Sequence, residues 1–130
     1  MQALYAWESR GEPVPLRAFL SQFLSERRVS GQARGYIIEL LEQVAEHRDE
    51  IDARLQHNLL NWRLERLSVI DRNVLRLGAA ELLYLPDIPP RVAIQEAILL
   101  AEKYGTAQSP RFVNGVLDAL MREAASRRGA

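Results

Sequence analysis

The chain contains no cysteine. Disulfide scaffolds, thiolate metal sites and cysteine nucleophiles are therefore excluded, which fits a reducing cytosol. Histidine is scarce, with only His47 and His57. That spacing turns them about 80° apart around a helix, so they share no face. Neither has a carboxylate at metal-ligand spacing, and exposed or capping roles fit both better. No apolar run approaches the roughly 18 residues that a membrane helix needs. No basic-then-apolar leader opens the chain. Strand signals are missing too: there is no alternating run, no Asn-Gly turn between β-branched segments and no internal repeat.

Net charge is zero, so bulk electrostatics do not announce a nucleic-acid binder. Lysine is almost absent: Lys103 stands alone against sixteen arginines. A coding bias towards arginine accounts for much of this. Arginine is nonetheless the better residue for phosphates and for stacking on bases, so local clusters matter despite the neutral sum.

What is present is helical. At 130 residues, 48% hydrophobic and 26% charged, the chain reads as one folded domain with a real core. Gln2 to Arg10 reads as a short helix that starts abruptly, without a capping residue. Gly11-Glu12-Pro13-Val14-Pro15 breaks it. Leu16 to Arg28 forms a second helix on a stripe of Phe19, Leu20, Phe23 and Leu24. From Ala33 to about Leu60 the pattern fits one long helix or two with a kink. Ile37, Leu40, Leu41 and Val44 make one face, and Ile51, Leu55 and Leu59 the next. Glu46-His47-Arg48-Asp49-Glu50 is a polar junction where Asp49 could cap a new helix. The carboxylates from Glu39 to Asp52 read as a solvated face.

Ser68 and Asp71 have the spacing of a capping box. The helix after Ser68 runs to about Leu85 with Ile70, Val74, Leu77, Gly78 and Leu82 inward. Pro86 to Pro90 stops it. Arg91 to Tyr104 is the next helix, with Gly105 as a natural C-cap. Ser109-Pro110 then opens the last helix: Ser109 can cap free N–H groups and Pro110 suits the first turn. Val113, Val116, Leu117, Leu120, Met121 and Ala124 form its buried stripe. Asn114-Gly115 interrupts it, and a glycine there costs about 1 kcal/mol relative to alanine, which close packing would offset. Ser126 onward reads as a frayed tail. The sum is an all-α fold of about seven helices in two small packed bundles, an N-terminal half over about 1–60 and a C-terminal half over about 61–127.

Catalytic patterns do not emerge. Gly31-Gln32-Ala33-Arg34-Gly35 follows no strand and lacks the lysine-serine/threonine ending of a phosphate loop. No acid–base pair stands out, and no serine has a base beside it. A non-enzymatic binding protein is the expectation. The aromatic candidates are Tyr5, Trp7, Trp62, Tyr84, Tyr104 and Phe112, residue types that are more often core than site. Phe112 is the best of them. It lies on a first helical turn, off the stripe and beside Arg111, where free N–H groups can meet a phosphate and the ring a base.

Several runs resemble the NusB family of transcription antitermination factors. They are Gln2-Ala3-Leu4-Tyr5; Asp71-Arg72-Asn73-Val74-Leu75-Arg76-Leu77 with Glu81-Leu82; Ile88-Pro89-Pro90-Arg91-Val92-Ala93-Ile94-Gln95-Glu96-Ala97; Ala101-Glu102-Lys103-Tyr104-Gly105; and Ser109-Pro110-Arg111-Phe112-Val113-Asn114-Gly115-Val116-Leu117-Asp118. The last is the most specific. The resemblance implies a single NusB-like domain over 1–130, cytoplasmic and bacterial, without cofactor or metal. It implies binding to the boxA RNA of ribosomal RNA leaders as a heterodimer with NusE, the small-subunit ribosomal protein. That pair works with other Nus factors and RNA polymerase to suppress termination.

Matched position by position, the RNA-facing residues are Gln2, Gln108, Ser109, Arg111 and Phe112, and the NusE-facing residues are Tyr5, Glu65 and Asp71. For Asp71 a purely capping role stands beside the partner role. The family usually carries an arginine-rich segment just before the residues matching Gln2 to Tyr5. Here Met1 stands inside that helix, which points to a truncated start and to weaker RNA binding with a flatter salt dependence. The alternative function is a NusB-like protein-interaction domain, related to the one preceding ribosomal RNA cytosine methyltransferases. Homodimerisation is a further option that the resemblance leaves open.

Overall fold

The computed structural model describes residues 31–129, and side chains from 35 to 127. The two helices expected over Gln2 to Arg10 and Leu16 to Arg28 lie outside these residues, as do Gln2, Tyr5 and Trp7. The described residues are all-α: α1 (Gly31–Glu46), α2 (Arg48–His57), one 3-10 turn (Leu64–Arg66), α3 (Val69–Tyr84), α4 (Pro90–Tyr104) and α5 (Ser109–Gly129). No strand occurs among them.

The stretch after Ala33 is two helices, broken at His47. Its φ of −110° and ψ of 20° leave the helical region, while its N–H still donates to the Gln43 carbonyl. The break is stabilised by packing. The His47 ring stacks on Tyr84 of α3, with centroids 3.9 Å apart and planes 9° from parallel. The expected cap at Asp49 is not made. Asp49 and Glu50 lie in the first turn of α2, where their charges suit the positive end of the helix dipole. The C-terminus of α2 is closed by Asn58, whose amide donates to the Arg54 carbonyl at 3.0 Å and to Glu123 Oε2 of α5 at 3.1 Å.

Helix α3 is central and touches each of the other four described helices. Its N-terminus is capped as the sequence predicts, with Ser68 Oγ accepting from the Asp71 N–H at 3.1 Å. One buried face was expected; instead every residue from 73 to 82 is buried. An amphipathic helix buries a stripe, whereas one enclosed on all sides must also satisfy its polar residues internally. Arg76 does so through Asp52 of α2, with Nε to Oδ1 at 2.9 Å and Nη2 to Oδ2 at 3.0 Å. Asp52 is therefore not part of a freely solvated acidic face. Glu81 accepts a hydrogen bond from the Tyr36 hydroxyl of α1. Burial pushes the Glu81 carboxyl above its usual range and Glu96 adds to this, while the bond from Tyr36 pulls the other way.

Helices α3, α4 and α5 form one closely packed bundle, with α1 and α2 laid against α3. Gly78 makes the close approach of α3 to α5 possible. A Cβ there would sit 2.5 Å from Leu117 Cδ1. Leu75, Val113, Leu117 and Leu120 fill the core around it. The predicted stripe of α5 is buried except for the partly buried Met121. Gly115 differs from expectation: it is exposed, and no described atom lies within 4 Å of a Cβ built there. The expected fraying after Ser126 also fails, because α5 continues to Gly129 with Arg127 paired one turn back to Glu123 at 3.5 Å. Glu123 gathers Asn58, Arg54, His57 and Arg127. Burial opposes its charge, but these partners outweigh it and hold the carboxyl below its usual range.

Candidate nucleic-acid interface

The corner between α4 and α5 is built by Gly105 and Ser109. Gly105 ends α4 with φ of −96°, so it is not there for a left-handed turn. Its missing Cβ is what counts, because one would lie 2.5 Å from Ser109 Oγ and 2.8 Å from the Ala101 carbonyl oxygen. Into that space Ser109 inserts, only 2% exposed. Its hydroxyl accepts from the Thr106 N–H at 3.0 Å, upstream of α5, rather than from N–H groups ahead of it. Its own N–H donates to the Thr106 carbonyl at 3.1 Å, and Phe112 N–H donates to the Gln108 carbonyl at 3.1 Å. Thr106 Oγ1 donates to Gln108 Oε1 at 3.4 Å. The loop is thus tied at both ends and presents Gln108 and Arg111 to solvent. Phe112 is half-buried, with part of its ring against the core.

A cleft of about 280 Å³ opens beside this corner. Gln108, Ser109 and Phe112 of the corner line it, together with Trp62, Arg66 and Asp71 from the connection before α3 and its first turn. The structure therefore brings three of the five expected RNA-facing residues together with Asp71. Arg111 lies next to the cleft but outside its lining, and Ser109 is buried in its wall. Asp71 combines two roles. Its N–H completes the cap with Ser68, while its buried Oδ1 has no hydrogen-bond partner among the described residues. Glu65 sits elsewhere. It is exposed, 3.6 Å from Arg63, and borders a separate cleft of about 420 Å³ with Arg48, Arg72 and Arg76.

Trp62 is the residue that periodicity undervalued. It is 61% exposed, in the connection between α2 and the 3-10 turn. Asn61-Trp62-Arg63 lies between helical patterns, and a large aromatic there carried no sign of whether it faced in or out. The two histidines, by contrast, stay apart: His57 is exposed, 3.8 Å from Glu123. Among the described residues no three histidines, aspartates or glutamates are grouped to hold a metal ion. No described helix is long and apolar enough to cross a membrane.

Similarity to known proteins agrees with this geometry. Residues 1–122 match the NusB family. A transcription antitermination protein NusB from Chloroherpeton thalassium is 40% identical over 128 residues, covering 98% of this chain and 60% of that protein. The chain thus spans less than two thirds of that relative's length. A solved structure of T. maritima NusB has a TM-score of 0.86 at 40% identity, covering 94% of this chain and 84% of the other. A crystal structure of the antitermination factors NusB and NusE in complex with double-stranded RNA has a TM-score of 0.83 at 30% identity, covering 93% and 89%. The chain belongs to the NusB family.

Proposed function

We propose that this chain is an RNA-binding transcription antitermination factor. It binds boxA RNA of ribosomal RNA leaders as a heterodimer with NusE and, with other Nus factors and RNA polymerase, suppresses termination in the cytoplasm. It works by binding, without catalysis of its own. The observation that carries this reading is the α4–α5 corner. A buried serine and an extended glycine fix a loop whose outward groups are an amide, a guanidinium and a half-buried phenyl ring. Those are the chemistries that take a phosphate and an unstacked base.

In this reading Gln2, Gln108, Arg111 and Phe112 face RNA, and Ser109 supports them by holding the loop. Tyr5, Glu65 and Asp71 face NusE. The Asp71 Oδ1, without a partner among the described residues, supports that assignment, since a buried carboxylate oxygen gains most from a donor supplied by a second molecule. NusB in complex with NusE and double-stranded RNA, a structure similar to this chain, supports NusE as the partner.

The test is binding of a boxA oligonucleotide and a scrambled control, with and without NusE. NusE should bind the chain and raise its preference for boxA. Phe112→Ala should weaken RNA binding by about 1–3 kcal/mol with helix content intact. Asp71→Ala should weaken the NusE complex more than RNA binding. A chain that ignores NusE and treats the two RNAs alike does not have this function.

A further inference from the structure

Trp62 and Arg66 line the cleft beside Asp71 but have no role in the reading above. Trp62 exposes most of its ring to solvent, although its backbone is firmly held. Gln56 of α2 donates from Nε2 to the Trp62 carbonyl at 2.8 Å, and Gln56 Oε1 accepts from the Leu64 N–H at 2.8 Å. One side-chain amide therefore holds the chain on both sides of Arg63, immediately after the tryptophan. Leu64, two residues on from Trp62, is anchored in the core at 5% exposure. The ring itself stacks on no other side chain among the described residues. A tryptophan left open on a fixed backbone wastes the apolar burial that would otherwise stabilise the fold. Such an arrangement is already organised for a ligand, because little conformational freedom remains to be lost on binding.

The rest of the cleft indicates which ligand. Phe112, from the first turn of α5, lines the same cleft as Trp62. Arg66, exposed, lines it too, and Arg111 is exposed beside Phe112. The lining also offers the Gln108 amide, the Thr106 and Ser68 hydroxyls and the Asp71 carboxylate. Flat aromatic surfaces, neutral hydrogen-bonding groups and flanking guanidinium groups suit a base with its phosphates.

We propose that Trp62 is an RNA-stacking residue, forming with Phe112 a cleft that takes one unpaired base of a single strand. This rests on the RNA-binding function proposed above and adds to it a contact from the connection before α3. Because stacking is indifferent to charge, Trp62 contributes affinity without adding to the salt dependence.

The experiment uses the full chain and a labelled boxA oligonucleotide, with Trp62→Ala and Trp62→Phe. Trp62→Ala should raise Kd about 5- to 150-fold, the range for one lost base–aromatic stack. Trp62→Phe should stay within a few-fold of wild type. The slope of affinity against salt should be the same in all three. Binding should quench the tryptophan emission of the wild-type chain, and in Trp62→Phe the quench should fall to whatever Trp7 contributes. Should Trp62→Ala not fold, the quench read against Trp62→Phe decides. An affinity within twofold in Trp62→Ala, or a quench in Trp62→Phe undiminished from wild type, overturns the inference. So does a variant whose RNA affinity is unchanged while its NusE affinity falls, since that makes Trp62 a protein anchor. In those cases the functional reading stands. A wild-type chain that binds no RNA with or without NusE overturns both.

Discussion

A methyl group added at Gly105 would meet the Cβ of Ser109 at 2.6 Å and the Ala101 carbonyl at 2.8 Å, neither of which can swing away. One added at Gly115 would meet no described atom. The two glycines therefore predict opposite substitutions. Gly105→Ala should cost about 1–3 kcal/mol through overpacking and weaken RNA binding, because the loop carrying Gln108 must shift. Gly115→Ala should gain about 1 kcal/mol from helix propensity alone. Urea unfolding measures both, with an unchanged m-value showing that stability alone has moved. Composition and spacing marked both glycines: Gly105 does close α4 as read, but its missing Cβ also admits Ser109, and Gly115 is not the packing residue expected. What a glycine excludes depends on atoms several residues away or on another helix, and a linear pattern does not carry that. Ser109 makes the same point. Its position at a helix start was legible, but its inward direction follows from the gap at Gly105.

At the scale of elements, the helix boundaries set by proline, glycine or a capping serine among the described residues were legible, because those residues act on their own backbone. The standing of α3 was not. Its sequence reads as an ordinary amphipathic helix, and only the packing of α1 and α2 across its polar side turns Arg76 and Glu81 into buried partners of Asp52 and Tyr36. The α1–α2 break depends on α3 in the same way, through His47 stacked on Tyr84. Burial, with the negative charge of Glu50, pushes the Tyr84 hydroxyl up to about 12. In the unfolded chain it titrates near 10, so between about pH 10 and 12 the folded state holds the extra proton. Stability is then complete below about pH 10 and falls as pH rises through that window. The Tyr84 hydroxyl is buried without a hydrogen-bond partner among the described residues. Tyr84→Phe should therefore melt within about 1 kcal/mol of wild type at pH 7 and lose less stability above pH 10. Thermal melts from pH 8 to 12 check this; equal alkaline losses in both proteins would mean that Tyr84 is not the titrating group.

At the scale of the whole molecule, zero net charge conceals how the arginines are used. Arg76 is committed to Asp52, Arg54 and Arg127 to Glu123, and Arg122 to Asp118. These pairs hold helices together or run along one helix, and they cancel charge locally. Arg66 and Arg111 are instead exposed at the cleft and the corner. Among the described residues, the basic surface proposed to meet RNA is therefore small and local, which total charge does not register. Its size sets the salt dependence. Each phosphate neutralised on a single strand contributes about −0.7 to the slope of log affinity against log salt. Arg111→Ala should flatten that slope by about 0.7, measured between roughly 50 and 200 mM salt, and weaken boxA and scrambled RNA alike, since a phosphate contact carries no sequence. Phe112→Ala should lower affinity with the slope unchanged. If Arg111→Ala alters the preference for boxA and leaves the slope intact, Arg111 reads a base edge and the phosphate grip lies elsewhere on the chain.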